Sequence, residues 1–138
     1  MLTKAKQILL DNNHRLVIIK NDIITTSNER GVKALLNLLD VSTDFSGAYA
    51  ADKVVGKAAA MIYVLLGIKE LYASVISDGA KAIVESQGIL LEYDEAVPYI
   101  VNRQGDGVCP MELAVGDEKD PEKAVEKVKI KLLQLSGE

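Results

Sequence analysis

The side chains whose type and setting suggest chemistry are few: one cysteine, one histidine and a lysine set in an apolar run. Cys109 directly precedes Pro110. If Pro110 opens a helix, Cys109 stands at its N-cap, where free N–H groups and the helix dipole favour a thiolate. The Gly105-Asp106-Gly107 turn before it would leave the thiol accessible. Glu112 follows at the capping-box position and would accept a hydrogen bond from the Cys109 N–H. A small buried thiol beside a capping glutamate is the plain structural alternative. His14 lies near the first expected strand, at the other end of the chain, so no base accompanies the thiol.

Lys57 is the only charged residue between Val54 and Ile68. Apolar residues fall on every side of a helix drawn from Asp52 to Gly67, the mark of a mostly buried helix. A lysine there must snorkel, meet a carboxylate or face a cavity. Asp52 would stand near the helix start, where the dipole favours a carboxylate. Five positions separate it from Lys57, about 140° around the helix, so the two do not share a face. Asp52, Lys57 and Cys109 are the candidate catalytic groups, and Glu112 and Asp78 the candidate ligand-binding ones. Asp78 is placed by Ser77-Asp78-Gly79, a strand–helix junction of the kind that binds anions, although ordinary capping is the simpler explanation. A phosphate loop over Ala51–Lys57 is rejected, because Ala51 and Ala58 stand where Gly and Ser or Thr are required.

The elements that must position these residues follow from periodicity and punctuation. Helical spacing of Leu2, Ala5, Ile8 and Leu9 gives a helix over residues 2–12. Two β-branched runs, 15–20 and 22–26, flank Asn21-Asp22 as a hairpin. A helix capped by Ser27 or Asn28 carries Val32, Leu35, Leu36 and Leu39 on one stripe. The polar stretch 41–47 is a loop into the central helix. Residues 69–77, 78–87 and 89–93 read as strand, helix, strand, a unit that implies two parallel neighbours with a right-handed crossover. A further strand near Tyr99–Asn102 should return antiparallel, since 94–98 is too short for a crossover. A short helix over 109–115 and a final helix from Asp120-Pro121 to Leu135 complete the chain. The last helix is expected to bury Val125, Val128, Leu132 and Leu135.

At 138 residues, 49% hydrophobic and 26% charged, the sequence fits one α/β domain with one core. Six aromatic residues imply an aliphatic core. A net charge of −4 without a basic run argues against nucleic acid as a partner. The longest uncharged apolar run is about half of the ~20 residues that a membrane span needs. A single cysteine excludes an internal disulfide and fits a reducing, cytoplasmic setting.

Asp52-x-x-x-Gly56-Lys57-Ala58-Ala59-Ala60, together with Cys109-Pro110-Met111-Glu112, resembles an uncharacterised bacterial and archaeal domain family associated with the cytidine-deaminase fold. The likeness covers nearly the whole chain. It implies a three-layer α-β-α domain with a mixed five-stranded sheet in the order 2-1-3-4-5. Zinc deaminases carry His-x-Glu or Cys-x-Glu at the start of the central helix and Pro-Cys-x-x-Cys at the next. Here those places hold Asp52-Lys53 and Ser77-Asp78-Gly79-Ala80. One His and one Cys cannot supply the three nitrogen or sulfur ligands of such a site. The expectation is therefore a deaminase-like domain with no metal and no cofactor. It binds a small molecule, by analogy a nucleoside or nucleotide, or acts as a thiol-dependent enzyme at the start of the central helix. A non-catalytic interaction domain is the alternative. Self-association is left open.

Overall fold

The computed structural model describes residues 1–29 and 31–136. In chain order the elements are α1 (Leu2–Asp11), β1 (Leu16–Lys20), β2 (Ile23–Ser27), α2 (Lys33–Asp40), β3 (Tyr49–Val55), α3 (Lys57–Leu66), β4 (Glu70–Ser77), α4 (Asp78–Ser86), β5 (Leu90–Val97), α5 (Pro110–Val115) and α6 (Pro121–Ser136). The five strands form one mixed sheet in the order β2-β1-β3-β4-β5. β1 runs antiparallel to both of its neighbours, β2 and β3, while β3, β4 and β5 run parallel. The expected order holds, but the third strand is a different segment from the one expected.

That strand, Tyr49–Val55, was read from sequence as loop and helix start. It is central in the sheet, with Leu16 opposite Asp52 on one side and Ala73 beside Asp52 on the other. Ala50 and Ala51 are fully buried, one on each face of the sheet. Alanine is a weak strand former, so tertiary burial decides the conformation here. The central helix consequently begins at Lys57, after an extended Gly56, and Asp52 lies on a strand instead of a helix. Its far end is as expected: Gly67 takes the left-handed conformation at φ 76°.

Alternation along the strands divides the interior between the two faces. Val17, Ile19, Ala51 and Tyr72 point to one face, where α1 covers them with Ala5 and Leu9. Leu16, Ile18, Ala50, Leu71 and Ala73 point to the other, under α3 and its flanking helices. Residues Ala58 to Tyr63 of α3 are all buried, as its uniform apolarity requires. The interior is not purely aliphatic, because Tyr63 and Tyr72 are its two largest fully buried side chains. Tyr72 keeps its hydroxyl satisfied by donating to Asp94 Oδ2 at 2.6 Å.

Four further expectations are corrected. No strand forms at Tyr99–Asn102. That segment turns back on itself through a single bridge, Val101 to Val108, and Asn102 N donates to Gly107 O at 2.8 Å. β5 instead extends to Val97 and ends the sheet. The cap of α2 is Val32, not Ser27 or Asn28; Ser27 belongs to β2 and its hydroxyl accepts from Glu29 N. On α6, Val125 and Val128 are buried as expected, whereas Leu135 is exposed and Leu132 only half-buried.

Because α1 is the only helix on its face among the described residues, Leu9 has no substitute there as a cover for the sheet. Leu9→Ala is expected to lower the unfolding free energy by about 2–4 kcal/mol. Urea denaturation monitored by circular dichroism checks this.

Candidate functional site

The carboxyl ends of β3, β4 and β5, the start of β1 and the N-terminal ends of α2, α3 and α5 surround an open cleft of about 1180 Å³. Ligand sites in open α/β sheets commonly occupy this edge. Asp52, Lys57, Cys109 and Glu112 all line it. Asp78, the fifth residue singled out from sequence, does not. It is exposed on the first turn of α4, while Ser77 caps that helix by accepting from Ala80 N at 3.2 Å.

Glu112 is nearly fully buried and draws three donors. Its Oε1 accepts from the backbone N–H of Lys57 and from Ser77 Oγ at 3.3 Å, and its Oε2 accepts from Ile100 N at 3.2 Å. The expected capping box is not made, because the Cys109 N–H donates to Ile100 O at 2.8 Å instead. Glu112 thus caps α3 from another part of the chain and touches the start of α4 through Ser77. Two helix N-termini, with their partial positive charge, face one carboxylate. Gly56 permits this approach, since a Cβ there would lie 2.9 Å from Glu112 Oε1.

Lys57 is half-buried and its ammonium donates to Gly116 O at 3.0 Å, at the C-cap of α5. The lysine stem fills the space left by Gly79. Residue 57 therefore holds both ends of α5, by its backbone N–H through Glu112 and by its side chain at Gly116. Cys109 is half-buried at the N-cap of α5, as expected, and its sulfur makes no hydrogen bond among the described residues. His14 does not join it: His14 bonds Asn28 Oδ1 at 2.8 Å and is absent from the cleft walls.

Asp52 is 9% exposed. Tyr63 Oη on α3 donates to its Oδ2 at 2.6 Å, and Val54 N donates to its Oδ1 at 3.2 Å. Burial raises its pKa from 3.8 to about 6, against the opposing pull of these donors and of Arg15. The same burial, with Asp52 beside it, pushes Tyr63 well above the ordinary phenol range. The sequence reading missed Tyr63. Its signal was a hydroxyl in an otherwise apolar helix, which needs a polar partner when buried.

By the deaminase resemblance, zinc ligands would lie at the starts of α3 and α4. Gly56-Lys57 and Ser77-Asp78 supply no imidazole or thiolate there, and the polar groups present converge on Glu112. These residues do not fit a zinc ion.

Fold and cleft together define an open-sheet α/β domain with a ligand-sized cavity at the carboxyl edge of its parallel strands. Residues 4–132 match the family model described as "TM1506: Domain of unknown function (DUF1893)". The chain belongs to the DUF1893 family. It is similar to the crystal structure of a DUF1893 family protein (TM1506) from Thermotoga maritima, at 29% sequence identity and a TM-score of 0.86. That alignment covers 94% of this chain and 88% of the other. No curated protein matches.

Two outcomes follow from this geometry. In Glu112→Gln an amide N–H replaces one acceptor where only donors converge, so stability should fall by about 1–3 kcal/mol with the fold retained. Chemical denaturation measures it. For Asp52, the folded state keeps a proton that the unfolded state releases between pH 3.8 and about 6. Its contribution to stability is therefore greatest below that window, falls through it by roughly 3 kcal/mol, and is level above. Asp52→Asn should remove this step from a stability–pH profile.

Proposed function

We propose that this domain binds a small organic molecule in the cleft at the carboxyl ends of β3, β4 and β5. The observation that carries the reading is that Asp52 and Lys57 from one stretch of the sequence, and Cys109 and Glu112 from a distant one, line one cavity. Its walls are mainly apolar, with Val54, Val75, Val97, Tyr99 and Leu132 among them, and a few polar groups lie among these. Such a lining holds an organic body while the polar groups fix its orientation. The resemblance to the deaminase fold supports a nucleoside or nucleotide as the first class to try.

Within this reading the four residues divide. Lys57 and Glu112 hold α3 and α5 together, so they shape the cleft instead of reacting in it. Cys109 and Asp52 are the groups left for chemistry: a half-buried thiol at a helix N-cap and a carboxyl group whose pKa lies near neutrality. Thiol-dependent catalysis would need a base brought by the ligand or by Asp52. The commitment of Lys57 and Glu112 to structure favours a second reading, an interaction domain that keeps the fold without a reaction.

Iodoacetamide labelling of the native full chain, followed by mass spectrometry, separates the two. Cys109 is expected to be alkylated in the folded protein and protected by a member of a nucleoside and nucleotide panel. A thiol that reacts only after denaturation, with no panel member shifting the melting temperature, would support the interaction domain.

A further inference from the structure

We infer that Asp52 is the recognition group for a cationic head group (amidinium, guanidinium or ammonium) on the molecule bound in the cleft. This rests on the cleft reading above and names the ligand chemistry of one end of it. The argument starts from charge. Buried carboxylates are normally matched by a cation or a metal, because leaving the charge unmatched is costly. Asp52 is nine-tenths buried, yet its two hydrogen-bond donors, Tyr63 Oη and Val54 N, are neutral. The ion pairs among the described residues are Lys6–Glu92 and Lys127–Glu118, and neither involves Asp52.

Among the described residues, the charged groups around it do not fill this place, and Glu29 at the rim is itself an exposed anion. Arg15, from the approach to β1, acts on Asp52 only beyond ion-pair contact. The ammonium of the neighbouring Lys53 is bound to Asn13 Oδ1. Lys57 and Glu112, on the α3 and α5 walls, are committed to Gly116 and to the helix starts. Lys33 and Arg103 are exposed at the cleft rim, where solvent and salt screen them. Each carboxylate oxygen of Asp52 has accepted one hydrogen bond and can accept another. A cationic nitrogen entering from the cleft would supply the missing charge and the missing donors together.

Benzamidine, an amidinium on an apolar ring, is the probe. Benzamide and benzoate are its neutral and anionic counterparts. With the full chain at pH 7.5, benzamidine should raise the melting temperature in proportion to the logarithm of its concentration above the dissociation constant, by about 5 °C at ten times that constant. Benzamide and benzoate should bind at least tenfold more weakly. Benzamidine affinity should fall about tenfold per pH unit below pH 6, as Asp52 takes up its proton, and Asp52→Asn should remove both the binding and this pH dependence. The pH profile of the wild type stands even if the variant folds poorly. Equal binding of all three probes, or benzamidine binding that is independent of pH, would overturn the role of Asp52 while leaving the cleft as a site. Binding of none overturns it as well. If the cysteine labelling is then also unprotected by any nucleoside, the cleft reading falls with it.

Discussion

One buried carboxylate holds this structure at its functional edge. Glu112 takes the N–H that begins α3, the hydroxyl that begins α4 and a backbone N–H from the segment after β5. The Ser77 hydroxyl is buried and the two N–H groups are part-buried beside the cleft, and a buried donor left unpaired costs about 1–3 kcal/mol. A single acceptor shared among them ties two strand–helix turns of the sheet to a short helix of only six residues. A helix that short has little stability of its own. Its position depends on Glu112 at its start and on the Lys57 ammonium at its end.

This arrangement explains why the cleft is where it is. In an open parallel sheet the helix starts beyond the strand ends attract a negative group, and a ligand often provides it. Here the chain provides its own. The polar opportunity then shifts along the edge to β3 itself, beside its antiparallel neighbour β1, where Asp52 accepts from Tyr63. The two acids of the cleft differ in their donors, all of them neutral: Glu112 has three, two of them at the starts of α3 and α4, whereas Asp52 has two and no helix start behind them.

Most of the fold was legible from local pattern, and the failures share a cause. The hairpin, the strand–helix–strand unit of β4, α4 and β5, the Gly67 stop and the Cys109-Pro110 helix start all follow from residues within a turn of one another. Tyr49–Val55 did not, because its alanines favour a helix and only burial between two layers makes them a strand. Asp52 moved with it, from an expected helix cap to a strand residue paired with a tyrosine eleven positions on. Glu112 was expected to cap its own helix, the only option visible locally. Its real partner, the N–H of Lys57, is 55 residues away and is reached only because Gly56 has no side chain. Lys57, Cys109 and Glu112 line one cleft, although two of them hold its walls together instead of offering free groups.

The outer strand β5 has a consequence for the molecule as a whole. Glu92 and Asp94 point to the α1 face of this edge and Glu95 to the other, so both sides of the free backbone are lined with negative charge. An incoming strand would bring its backbone between these carboxylates, which discourages addition there. At the opposite end, β2 presents Ile23-Ile24-Thr25-Thr26-Ser27, with no charge within it and both isoleucines exposed. The two edges of the sheet therefore differ in kind: an added strand would meet carboxylates along β5 and uncharged side chains along β2.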